Sequence, residues 1–132
     1  MKAALLDTNA FLFWIAGGTD LSPAARSFIR KPGNEIWVSL VTAWELAIKT
    51  SQGRIRLASP VARFFSQHVE SNGFRLMGIE LDDVAGVETL PLHHRDPFDR
   101  LLIAQAANRK LPVGGYVLDG FHVHGCEVPL KM

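Results

Sequence analysis

At 132 residues the chain is long enough for one domain with its own core, and with 48% hydrophobic and 20% charged residues it is neither a disordered segment nor a linker. A formal net charge of +1 excludes the strong basic excess of a protein that holds nucleic acid by charge alone, so any such contact must rest on local clusters or on metal ions. The single cysteine, Cys126, excludes an internal disulfide framework, and Asp7 breaks an apolar start that would otherwise resemble a leader; the expectation is one cytoplasmic domain over 1–132 with no membrane segment.

In chain order, Lys2 to Leu6 is a short apolar run that suits a buried parallel strand. Asn9 to Ala16 reads as a helix halted by Gly17 and Gly18. Ser22 followed by Pro23 is a helix start, with the serine as cap and proline in the first turn, and the helix runs to about Arg30. Glu35 to Ser39 is the next strand, followed by a helix over roughly 41–51 that Gly53 closes. Ser59 and Pro60 open a helix to about Glu70, Asn72-Gly73 is a turn, Arg75 to Ile79 is a third strand, and Asp82 to Thr89 is a short helix. Asp96-Pro97 repeats the cap-and-proline start. The helix behind it is apolar nearly all round, through Phe98, Leu101, Leu102, Ile103, Ala104, Ala106 and Ala107, and reads as buried. Tyr116 to Leu118 and Glu127 to Leu130 complete the strands. Strands alternating with helices imply an α/β fold, a three-layer αβα sandwich around a mainly parallel sheet.

Open sheets of this kind bind ligands beyond the carboxyl ends of their strands, and three acids fall near such places. Asp7 ends the first strand; it either caps the following helix or is delivered to the sheet's edge. Glu45 has capping-box spacing from Thr42 and ion-pair spacing to Lys49, either of which would make it an ordinary surface residue. Asp99 lies in the first turn of the apolar helix, where acids favour the dipole, yet Leu102, Ile103 and Ala106 share its face. A carboxylate continuing a buried stripe needs a cation, a metal or hydrogen bonds. If the three converge, they are stable as anions only around a cation, and oxygen ligands suit Mg²⁺ or Mn²⁺. Phosphodiester hydrolysis is the natural chemistry of such a site.

The stretches LLDTNAFLFWIAGG, LSPAARSFI, IWVSLVTAWELAIKTSQGRIRL and LPLHHRDPFDRLLIAQA, in this order over nearly the whole chain, resemble the VapC-type PIN-domain toxins of bacterial toxin–antitoxin pairs. The resemblance implies Mg²⁺- or Mn²⁺-dependent endonucleolytic cleavage of RNA, a cognate antitoxin as partner, and a homodimer. It places the metal on Asp7, Glu45 and Asp99. Secondary candidates are Asp96, Asp119, Thr8, Asn9 and Ser39. The family commonly carries Ser or Thr two residues before a fourth acid; here Asp119 stands near that place in GGYVLDGFHVHG, but Val117 replaces the hydroxyl residue.

Within DPFD, Asp96 precedes Pro97 and is expected to cap the helix, which leaves Asp99 as the third ligand. Lys49, Arg54, Arg95 and Arg100 are candidate contacts to RNA phosphates, against the plainer reading of a solvated surface. Phe11, Phe13 and Trp14 suit core packing, with one face available to an antitoxin or a second subunit. The pairs His93–His94 and His122–His124 lack the spacing of a zinc site. Two other functions compete: an aspartate-dependent phosphatase, disfavoured because Asn9 stands where a second acid is wanted, and a non-cleaving scaffold for RNA or protein, disfavoured by the intact acids.

Overall fold

A computed structural model of the protein describes residues 2–91, 96–111 and 113. Three strands, β1 (Ala3–Leu6), β2 (Glu35–Ser39) and β3 (Arg75–Met77), form a parallel sheet in the order β1-β2-β3. Among the described residues six α-helices flank it: α1 (Thr8–Ala16), α2 (Pro23–Arg30), α3 (Leu40–Ser51), α4 (Val61–Ser71), α5 (Leu81–Gly86) and α6 (Pro97–Arg109). Among the described residues no helix is long and apolar enough to cross a membrane.

The register pairs Ala3 with Glu35 and Leu6 with Val38, then Trp37 with Arg75 and Ser39 with Met77. Alternation along each strand divides the apolar residues between two faces. Ala4, Leu6, Ile36 and Val38 join Phe11, Phe28, Phe64 and Phe65 in one core, beneath α1, α2 and α4. Leu5 joins Leu101, Leu102 and Ala106 of α6 in the other, with Trp37 packed against it. Both faces are thus covered, which is why the strands read as continuous apolar runs. Helix α3 serves both layers: Leu46 belongs to the first core and Val41 to the second.

Leu5 also makes a parallel bridge to Val113. The chain therefore steps from β1 to β2 to β3 in one direction and returns to the far side of β1. Right-handed crossovers in opposite directions place their helices on opposite faces, which accounts for α6 lying apart from α1, α2 and α4. The carboxyl end of β1, where Asp7 stands, is the point at which the strand order reverses.

Local chemistry sets the helix ends. The Ser22 hydroxyl accepts from the Ala25 amide at 3.1 Å, with Pro23 in the first turn. Gly17 ends α1 at φ +71°, a left-handed position that a side chain would strain. Several expected boundaries shift by a residue or two. The third helix begins at Leu40, capped by Ser39, whose hydroxyl accepts from the Val41 amide at 3.0 Å. The third strand ends at Met77, two residues before Ile79. The helix expected over Asp82–Thr89 is α5 followed by a 3₁₀ turn, Val87–Thr89. The strands expected at Tyr116–Leu118 and Glu127–Leu130, with Cys126, His122 and His124, lie outside the described residues.

A buried polar cluster ties α5 and α6 to the end of β2. Asp83 receives both guanidinium nitrogens of Arg109, at 2.6 and 3.0 Å, the Asn108 amide at 3.0 Å and the Glu80 backbone amide at 2.9 Å. Gln105, itself buried, donates to the Gly78 carbonyl at 3.0 Å and accepts from the Ser39 hydroxyl at 2.6 Å. Burial works against the Asp83 charge, but Arg109 and the surrounding amides outweigh it and hold the carboxyl well below its usual range. That stabilisation is present above the ordinary carboxylate range and is lost as the pH falls below it. Asp83→Ala is expected to lower the unfolding free energy by about 3 kcal/mol at neutral pH, because Arg109, Asn108 and Gln105 lose a common acceptor. Urea unfolding checks this; an unchanged midpoint would mean the cluster contributes no net stability.

Candidate active site

Asp7 combines both roles considered for it. It leaves β1 in an extended conformation and caps α1, its Oδ1 accepting from the Ala10 amide at 2.7 Å. It is 3% exposed. Burial raises its pKa to about 6; the Ala10 hydrogen bond opposes the rise, and the charges of Asp99 and Glu45 add to it. Asp7, at the end of β1, is therefore within electrostatic reach of Glu45 on α3 and of Asp99 on α6, although 38 and 92 positions separate it from them in sequence.

Glu45, 4% exposed, is not a surface residue. The capping-box reading fails because α3 begins a turn earlier than Thr42 would require; Thr42 is fully buried and its hydroxyl lies 3.1 Å from that of Thr8. The ion-pair reading is present: Lys49 Nζ donates to Glu45 Oε2 at 2.5 Å. The other oxygen, Oε1, accepts from Thr8 Oγ1 at 2.6 Å. Thr8 thus joins the start of α1 to α3.

The acids of DPFD divide as expected in one respect. Asp96 is exposed and caps α6, Oδ1 accepting from the Phe98 and Asp99 amides at 2.8 and 3.2 Å. Asp99 is half-buried one turn inward and carries the charge that reaches Asp7.

The remaining candidates scatter. Ser39 is fully buried, with its hydroxyl engaged by Val41 and Gln105. Asn9 is exposed on α1, and Arg54 is exposed in the turn after α3. Arg100 folds the segment ahead of α6 onto itself, donating to the Val87 and Pro91 carbonyls at 3.0 Å and to the Leu90 carbonyl at 3.4 Å. Arg95, Asp119, His93 and His94 lie outside the described residues. Trp44 of α3, 49% exposed, meets Phe98 of α6 edge-on at 4.9 Å between ring centres, so an aromatic pair bridges the two helices that carry Glu45 and Asp99.

The donor set suits a hard divalent cation. A strand-end carboxylate whose proton affinity is raised by burial and by two neighbouring carboxylates is a place short of positive charge. Among the described residues no three acidic, histidine or cysteine side chains are gathered closely enough to hold an ion in common in this arrangement. Glu45 instead has Lys49 as its cation.

Residues 4–113 match the PIN domain family. Over 107 residues, 80% of each chain, the protein is 36% identical to Ribonuclease VapC22 of Mycobacterium tuberculosis. These matches show that the chain belongs to the PIN-domain family, among its VapC-type ribonucleases. A toxin–antitoxin complex from Klebsiella pneumoniae contains a chain of the same fold, with a TM-score of 0.53 and 21% identity, covering 83% of this chain and 82% of that one.

Proposed function

We propose that the protein is a Mg²⁺- or Mn²⁺-dependent endoribonuclease, the toxin of a toxin–antitoxin pair, with a cognate antitoxin as partner and a homodimer as its assembly. The observation that carries the reading is the electrostatic meeting of Asp7, Glu45 and Asp99 where the strand order reverses, in a chain related to a ribonuclease. The relationship to a named VapC ribonuclease and the shared fold with a chain of a toxin–antitoxin complex support the toxin assignment.

In this reading Asp7, Glu45 and Asp99 hold the cation. Bound Mg²⁺ or Mn²⁺ supplies Lewis acidity toward the phosphate and a nucleophile at neutral pH. Asp7 offers Oδ2, since Oδ1 is committed to the Ala10 amide. Thr8 fixes the Glu45 carboxylate by its hydrogen bond to Oε1. Asp96 sets the first turn of α6 and with it the position of Asp99. Lys49 and Arg54 bring positive charge to the end of α3, where a phosphate backbone can be steered.

Purified protein is expected to cut RNA internally and leave 5′-phosphates. EDTA should abolish the cleavage and excess Mg²⁺ or Mn²⁺ restore it. Cleavage that persists in chelator would overturn the metal-dependent reading, and binding of RNA without cleavage under either metal would favour a scaffold.

A further inference from the structure

We infer that Lys49 is a built-in counter-ion for Glu45 which a divalent cation displaces, so that loading the site releases an ammonium group beside it. The inference rests on the metal-dependent reading above and goes beyond it to how the empty site is kept stable and what metal entry changes.

The two oxygens of Glu45 are held in different ways. Oε1 accepts from Thr8 Oγ1 at 2.6 Å, and Thr8 Oγ1 in turn lies 3.1 Å from Thr42 Oγ1. With the Thr8 proton directed at the carboxylate, Thr42 donates to Thr8, and the two hydroxyls form a directed chain ending on Glu45. Both threonines are buried and come from different helices, so this hold is fixed by packing. Oε2 accepts from Lys49 Nζ at 2.5 Å, and the Lys49 side chain is 24% exposed. A long, water-accessible side chain one helical turn away is the partner that can leave. Exchange at Glu45 therefore falls on Oε2.

Charge decides the direction. A buried carboxylate with no partner is costly, and the neighbouring charge of Asp7 adds to the cost. The ammonium of Lys49 relieves it in the empty site. A divalent cation carries twice the charge and, in the reading above, would be shared by three carboxylates drawn together around it, where Lys49 meets one. The displaced ammonium, on a side chain already 24% exposed, returns to water while the cation takes over the charge balance of Glu45. Once free it stands one turn from Glu45, in reach of a phosphate approaching the same edge. Cation loading and RNA binding thus become coupled at one side chain.

Titration with Mg²⁺ alone tests the exchange. In the parent, the side-chain ammonium of Lys49, protected by its ion pair, should give a ¹⁵N-bound proton signal in chelator that is lost to solvent exchange as Mg²⁺ saturates the protein. By calorimetry, Lys49→Met should bind Mg²⁺ about threefold or more tightly than the parent, since the competitor is gone. Its melting temperature in EDTA should fall and the rise on adding Mg²⁺ should exceed the parent's. Lys49→Arg, which keeps the ion pair, should stay near the parent in both. Equal or weaker Mg²⁺ binding by Lys49→Met, or a Lys49 signal unchanged at saturating Mg²⁺, overturns the exchange while leaving the nuclease reading intact. If Lys49→Met does not fold, the signal in the parent decides alone. Absence of any Mg²⁺ or Mn²⁺ binding to the parent overturns the metal-dependent reading itself, and this inference with it.

Discussion

Asp7→Asn is expected to abolish RNA cleavage and, at the same time, to make the metal-free protein more stable. The activity loss follows from removing the carboxylate at the strand reversal, and a fall on the order of a thousandfold is expected for the loss of a metal ligand. The stability gain follows from the pKa of Asp7, raised from 3.8 to about 6 on folding by burial and by the charges of Asp99 and Glu45. Well below pH 3.8 the group is protonated in both states and folding carries no penalty from it. Between pH 3.8 and about 6 the unfolded chain gives up the proton that the folded protein keeps, so the penalty grows across this window and stands at about 3 kcal/mol at neutral pH. Asparagine removes that cost and still accepts from the Ala10 amide, because it caps about as well as aspartate. Denaturant melts in EDTA should show the variant ahead of the parent at pH 7.5 and the gap closing toward pH 4.5. A variant less stable than the parent at pH 7.5 would mean that Asp7 is a cap whose charge favours folding.

Asp99→Asn should lose nearly all cleavage, while Asp96→Asn should retain a substantial part of it. Asp96 has one oxygen accepting from two amides of the first turn of α6, and asparagine can make the same bonds. Asp99 is the member of DPFD whose charge is felt at Asp7, and no neutral isostere replaces that charge. A difference on the order of a hundredfold between the two variants is expected in a cleavage assay under saturating Mn²⁺. The reverse ranking would place the ion at Asp96 and make Asp99 a helix-terminus charge.

Much of the scaffold was legible because its signals are local. Ser22-Pro23 and Asp96-Pro97 carry both a cap and a proline, and each starts a helix where it stands. Gly17 and Gly73 mark their turns through positive φ. What escaped depends on partners distant in sequence. The spacing of Thr42 and Glu45 is that of a capping box, but Ser39 takes the cap and Thr42 is turned to Thr8, 34 residues earlier. Asp83 resembles any acid in the first turn of a helix; nothing nearby announces Arg109. One signal was available: Gln105 is a polar residue inside the otherwise apolar run of α6, and such a residue needs buried partners. The pairing of Glu45 with Lys49 was legible, whereas the burial of Glu45 was not, since helix spacing alone does not say which face α6 covers.

The bridge between Leu5 and Val113 spans nearly the whole chain, and Asp99 belongs to the late helix that packs beside it. On the ribosome Asp7 emerges early and waits: β1 can pair with β2, and the first core can form, long before α6 exists. Asp99 comes within reach of Asp7 only after α6, the last helix among the described residues, has been made and has docked on the sheet. If Asp7, Glu45 and Asp99 together hold the cation as proposed, a chain halted before α6 docks is expected to have its first core without its cation site.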